Sequence, residues 1–124
     1  MSKRKKPTGD CYEAAATLLM QLCEYDGSNV EASQNVRLVH AEVAGQGKLS
    51  GLTFGHAFVL FLDTETVLDP SNGGCVLMSK TEYFRLGRID EIGNVQIYDI
   101  HQAARQMVEF EHYGPWDLVT ATGL

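Results

Sequence analysis

The run HAFVLFL at residues 56–62 constrains the fold most, because it is almost continuously apolar. A short apolar run of this kind is typical of a buried β-strand. Alternate side chains of a strand point to opposite faces of the sheet. The alternation predicts one face made of Ala57, Val59 and Phe61 and another made of His56, Phe58, Leu60 and Leu62. A polar residue, His56, therefore begins the run directly after Gly55.

The segments around this run predict a small mixed fold. Helical periodicity and N-capping residues predict helices at about 11–25, 80–86 and 100–111, and apolar segments bounded by turn residues predict further strands at about 36–44, 66–69 and 94–98. The predicted order is helix, three strands, short helix, strand, helix. Short links between strands favour antiparallel pairing, so we expect an α+β fold in which a small antiparallel sheet packs against the N-terminal and C-terminal helices.

The first helix has a clear start and one apolar side. Asp10 is a good N-cap, and Glu13 three residues later completes a capping-box pattern. An apolar stripe at helical spacing, with Leu19 beside it, consists of Cys11, Ala15, Leu18 and Leu22. We expect this stripe to face the sheet, which places the Cys11 sulfur in the seam between helix and sheet.

Length and charge limit the classes of protein. The 124 residues suit one domain, predicted at 9–124 after a disordered basic tail at 1–8. Four of the ten basic residues lie in that tail, so the net charge of −6 leaves −10 on the rest of the chain. An acidic body argues against nucleic-acid binding. No segment resembles a signal peptide or a membrane span, so we expect a cytoplasmic protein that does not bind membranes.

The cysteines indicate chemistry rather than scaffolding. Cys11, Cys23 and Cys75 cannot all pair with one another and show no CxxC spacing, so a disulfide framework and a zinc ribbon are both disfavoured. A metal site built from Cys11, His56 and Asp69 would have only three ligands and no paired motif. We therefore expect neither a metal nor a cofactor.

Cys11 and His56 together suggest nucleophilic catalysis. A helix N-terminus stabilises a thiolate through its free N–H groups and the positive end of its dipole, and Cys11 would be the first helical residue. His56 shares a strand face with Phe58 and Leu60, and we expect it to be aimed at the core side, near the seam. There it would take the thiol proton and later protonate a leaving group.

Asp69 ends the strand after the one that carries His56. The two side chains share a face only if paired positions have numbers with an odd sum, as a two-residue loop at 63–64 or 64–65 gives. Asp69 would then hold the second nitrogen of His56. Backbone N–H groups at the helix start, including that of Cys11, are the natural oxyanion donors. Further oxyanion or substrate-binding candidates in the loops and C-terminal segment are Gln46, Asn72 and Trp116.

Three motifs in this order resemble the core of transglutaminase-like proteins of the papain-like superfamily. They are GDC opening a helix, GHAFV in a strand and LDPS at a strand end, and they span roughly residues 9–73. The resemblance implies a papain-like fold in which Cys11 is the nucleophile, His56 the base and Asp69 the orienting acid. It implies a cysteine peptidase, amidase, deamidase or transglutaminase that acts on a peptide, protein or other amide through a thioester.

Each of these residues also has a structural interpretation. Cys11 can be a small core residue, His56 a core histidine and Asp69 a turn cap, and Trp116 can dock the C-terminal segment on the core. We expect His40 to be structural, and Cys23 and Cys75 to have no part in the site. Two functions therefore stand: a small cysteine hydrolase or acyl-transferase, and a non-catalytic binding module on a papain-like fold.

Overall fold

A computed structural model describes residues 11–24, 34–45, 48, 50–70 and 75–118. The elements in chain order are α1 (Cys11–Glu24), β1 (Val36–Ala44), β2 (Thr53–Phe61), β3 (Thr66–Asp69), β4 (Val76–Ser79), α2 (Lys80–Gly87), β5 (Val95–Tyr98) and α3 (Ile100–Phe110). The predicted α+β class is confirmed. In this part of the chain no helix combines the length and the apolar character needed to cross a bilayer.

The strands form one antiparallel sheet in the order β4-β3-β2-β1-β5. β2 contains the apolar run and lies at the centre, paired on both sides. Strand β4, at one edge of this sheet, was not predicted. It has only four residues, and Val76 and Leu77 are exposed, so the hydrophobic pattern that marks a buried strand is missing.

Helices cover both faces of the sheet. On one face, α1 and α3 bury a cluster that includes Leu19, Leu38, Val59 and Ala103. On the other face, the buried members are Val39, Ala41, Val43, Phe58, Leu60, Val67 and Ile89, and Tyr83 and Phe84 of α2 pack against them. β2 is thus apolar on both faces because each face is covered, which explains why its sequence is almost continuously hydrophobic.

The predicted alternation along β2 is confirmed, but the prediction that the face with Phe58 and Leu60 lies against α1 is wrong. Ala57 and Val59 belong to the cluster beneath α1, whereas Phe58 and Leu60 belong to the cluster beneath α2. His56 follows the alternation of Phe58, so it lies on the α2 face rather than the α1 face. Because both faces of β2 are apolar, the sequence pattern gives no information on which helix covers which face.

The buried side of α1 also differs slightly from the predicted stripe. Leu19 is fully buried, whereas Leu18 and Leu22 are half-buried and only pack against the cluster edge. Tyr12 and Ala16 are buried as well, so the centre of the stripe is rotated by about one residue. The proposed N-cap Asp10 and the tail at 1–8 lie outside the described residues.

The local features that position the site agree with the sequence. β2 and β3 pair Leu60 with Val67, an odd sum of 127, which corresponds to a two-residue loop at 63–64. Ser79 caps α2 by accepting a hydrogen bond from the backbone N–H of Glu82, at 3.2 Å. Asp99 caps α3, and a capping box with Gln102 is complete. β2 begins at Thr53, so His56 is its fourth residue rather than its first.

Candidate active site

His56 and Asp69 form a close pair on the α2 face of the sheet. The odd register of the β2–β3 hairpin places both side chains on this face, diagonally across the two strands. Nε2 of His56 lies 2.8 Å from Oδ2 of Asp69. The side chains are 13% and 9% exposed, so bulk water screens the pair little. Because Asp69 engages Nε2, the other ring nitrogen, Nδ1, remains for a further partner.

The His56 ring also interacts with Cys11, the first residue of α1. A side-chain hydrogen bond joins Cys11 and His56. Helix α1 packs against the opposite face of β2, but its first residue reaches His56 in the part of β2 that β3 does not cover. Strand β3 pairs with β2 only from Val59 to Phe61, so the segment of β2 with His56 extends beyond the paired part of β3. Cys11 is not in a disulfide bond, and 7% of the residue is exposed.

The environment of His56 favours its protonated form. Burial of the ring lowers its pKa, but the hydrogen bonds to Asp69 and Cys11 and the negative charges of both partners outweigh burial. Together they raise the pKa of His56 to about 10. A positively charged ring is therefore held between a carboxylate and a thiol. Cysteine nucleophiles in general depend on a cation placed in this way beside the sulfur.

Tyr83 of α2 is a fourth member of this cluster, and the sequence analysis did not identify it. Its hydroxyl donates to Oδ2 of Asp69 at 2.5 Å, the same oxygen that Nε2 of His56 approaches. Burial raises the pKa of Tyr83, and so do the charge of Asp69 and the hydrogen bond to it. The sequence carried no signal for this role, since Tyr83 lies in a short helix outside the three motifs.

His40 lies on the other face of the sheet, in the core next to α1. Its ring is fully buried among three aromatic rings, with centroids 4.9 Å from Tyr12, 5.1 Å from Tyr98 and 4.9 Å from Trp116. Neither ring nitrogen has a hydrogen-bond partner among the residues that the structure describes. Gly114 approaches this ring so closely that a Cβ there would lie 2.6 Å from Cε1 of His40. His40 thus anchors the C-terminal segment.

Of the remaining predicted candidates, the structure describes Trp116 and does not bring it to the cluster. Trp116 packs on His40 and Tyr98, and its Nε1 donates to the carbonyl of His112 at 3.0 Å, so it docks the C-terminal segment. Gln46 and Asn72 lie outside the described residues. Cys75 is exposed, whereas Cys23, predicted to lie off the stripe, packs partly against the α1 core.

The cluster contains the groups that an acyl-transfer site needs. It has a thiol, a protonated imidazole beside it and a carboxylate behind the imidazole. Among the residues described, no group of three or more His, Cys, Asp and Glu side chains is placed to hold a metal ion. The first N–H groups of a helix have no partner within the helix, so those at the start of α1 can receive a developing oxyanion.

Comparison of the chain with protein-family models, with curated proteins and with solved structures gave no match. The resemblance to transglutaminase-like proteins therefore rests on the three sequence motifs alone.

Proposed function

We propose that this protein is a small cysteine hydrolase or acyl-transferase that acts on an amide or related acyl bond. Cys11 is the nucleophile, His56 the general acid and base, and Asp69 the residue that orients His56. The observation that carries the proposal is the contact chain Cys11–His56–Asp69, which joins three separate elements of the fold. A resemblance to transglutaminase-like proteins supports the same assignment.

The reaction follows from the charges of this chain. The Cys11 thiolate attacks the carbonyl carbon, a C–S bond forms, and the carbonyl electron pair moves to the oxygen, which the N–H groups at the start of α1 receive. The oxyanion collapses, the C–N bond breaks, and His56 gives its proton to the leaving amine. Neutral His56 then removes a proton from water or from a second amine, which attacks the thioester and releases Cys11.

The low exposure of Cys11 supports a second candidate, a binding module in which the same residues are structural. Only 7% of Cys11 is exposed, so a substrate carbonyl has limited access to the sulfur. In that case the cluster is a buried polar network that stabilises the fold. The two candidates predict opposite orders of reactivity for the three cysteines.

Alkylation of the unmodified protein separates the two functions. An ordinary thiol is only about 0.3% ionised at pH 6, so exposed Cys75 is a slow reference. If Cys11 is the nucleophile, we expect iodoacetamide to label it more than about tenfold faster than Cys75 at this pH, although Cys11 is far less exposed. Mass-spectrometric mapping of the three cysteines measures both rates. Labelling in the order of exposure, with Cys75 first, contradicts the enzyme and favours the binding module.

A further inference from the structure

We propose that Tyr83 is a positioning residue of this site: its hydroxyl holds the Asp69 carboxylate in the orientation that supports the His56 ring. The inference rests on the function proposed above and extends the site from three residues to four.

The first argument is that two donors converge on one oxygen. Oδ2 of Asp69 lies 2.5 Å from the Tyr83 hydroxyl and 2.8 Å from Nε2 of His56. Asp69 is 7% exposed, and a buried carboxylate requires hydrogen-bond donors to compensate for lost hydration. With Tyr83 on Oδ2, the carboxylate cannot rotate that oxygen away from His56 without giving up a second hydrogen bond.

The second argument is that the core fixes the position of the Tyr83 hydroxyl. The Tyr83 ring packs on Phe58 with centroids 4.7 Å apart, and Phe58 is a fully buried residue of β2. A tyrosine side chain has only two torsions, so packing of the ring also fixes the hydroxyl. Phe58 is two residues from His56 on the same face of β2. The strand against which the Tyr83 ring packs is therefore the strand that carries the His56 imidazole.

The third argument concerns the direction of the hydrogen bond. Burial, the charge of Asp69 and the hydrogen bond to Asp69 all raise the pKa of Tyr83, and the charge of Cys11 adds to them. The hydroxyl therefore keeps its proton and donates it. The Asp69 carboxylate thus accepts from the Tyr83 hydroxyl and from the protonated His56 ring on the same oxygen.

The test compares two tyrosine variants of the full-length protein. Tyr83→Phe removes the hydroxyl and keeps the ring on Phe58. Tyr98→Phe is the matched control, because the Tyr98 hydroxyl also donates to a carboxylate, Oδ2 of Asp117, at 2.7 Å, away from the site. NMR titration of the His56 ring gives one readout, and the rate of Cys11 alkylation as a function of pH gives the other. Thermal melts establish that each variant is folded.

We expect Tyr83→Phe to lower the His56 pKa by about one unit, because a carboxylate that is free to turn gives up part of its hydrogen bond to His56. The pH at which Cys11 alkylation loses the support of the imidazolium should fall by about the same amount. Tyr98→Phe should change neither. Unchanged values in Tyr83→Phe, or equal changes in both variants, would overturn the inference. A rise in the His56 pKa would overturn it too, since the hydroxyl would then compete with His56 for Asp69 rather than position it.

A second pair of variants isolates the route through Asp69. In an Asp69→Asn background, Tyr83→Phe should cause no further change in the His56 pKa, because no carboxylate is left to position. A full additional shift would mean that Tyr83 acts on His56 directly, against the proposal. The His56 titration does not depend on catalysis. An inert Cys11 in the unmodified protein would therefore contradict the proposed function. The His56 titration would still test whether Tyr83 positions Asp69.

Discussion

His40 is a buried base in contact with the rings of Tyr12, Tyr98 and Trp116. Within the described part of the chain its two ring nitrogens have no hydrogen-bond partner. Burial lowers its pKa from 6.5 to about 4, and the charge of Asp117 opposes this only in part. The aromatic surroundings accept a neutral imidazole, and burial among them disfavours a charged one. His40 is therefore neutral in the folded protein at neutral pH, whereas an unfolded chain protonates it near pH 6.5.

This difference predicts an acid-sensitive fold. A pKa that is lower in the folded state gives a stabilising contribution that is complete above pH 6.5 and is lost as the pH falls from 6.5 to about 4. Between pH 7 and pH 4.5 we expect His40 to account for roughly 2–3 kcal/mol of the lost free energy of unfolding. Urea melts at the two pH values measure the loss for the unmodified protein and for His40→Leu.

Between pH 7 and pH 4.5, His40→Leu should lose roughly 2–3 kcal/mol less free energy of unfolding than the unmodified protein. The control is His101→Gln, because His101 is exposed on α3, and this change should leave the acid loss as it is in the unmodified protein. An equal acid loss in all three proteins would contradict the buried neutral state of His40.

At the scale of elements, α1 places Cys11 because its buried side fixes how the helix lies on the sheet. Three residues of α1 differ in exposure: Leu19 is fully buried, Leu18 is half-buried and Gln21 is exposed. We expect Leu19→Ala to cost about 2–5 kcal/mol of unfolding free energy and Leu18→Ala clearly less, because truncation of a fully buried leucine leaves a cavity. Gln21→Ala should be nearly neutral. Urea melts that ranked Leu18→Ala above Leu19→Ala would contradict this packing of the helix.

The β2–β3 hairpin is the element that was predicted best. The loop at 63–64 sets the odd register, and this register places Asp69 on the face of His56. Turn length and strand alternation are local properties, so the sequence carries them directly. The contact between Cys11 and His56 is not a local property of the sequence. It depends on tertiary packing, which brings the start of α1 to the part of β2 that β3 does not cover.

At the scale of the whole molecule, the parts that escaped prediction depend on tertiary contacts. β4 is short and exposed, so its pairing with β3 leaves no hydrophobic pattern in the sequence. The placement of His56 on the α2 face was missed because β2 is apolar on both faces. The role of Tyr83 could not be predicted, because it depends on the packing of α2 over that face. There the Tyr83 hydroxyl donates to Asp69.

The fold as a whole explains how residues 11, 56 and 69 come together. The central strand supplies His56, the neighbouring strand supplies Asp69, and the start of the helix on the opposite face supplies Cys11. The central claim is that Cys11 and His56 form one chemical unit, with the imidazolium supporting the thiolate. If this is correct, removal of His56 must change the chemistry of a sulfur 45 positions away in the sequence.

The most direct measurement is the rate of Cys11 alkylation as a function of pH in the unmodified protein and in His56→Ala, mapped by mass spectrometry with Cys23 and Cys75 as internal references. Our account predicts that the unmodified protein labels Cys11 selectively at pH 6 and that His56→Ala loses most of this selectivity, because the cation is gone while the helix end remains. A Cys11 profile that is the same in both proteins, or equal labelling of all three cysteines in the unmodified protein, would contradict it.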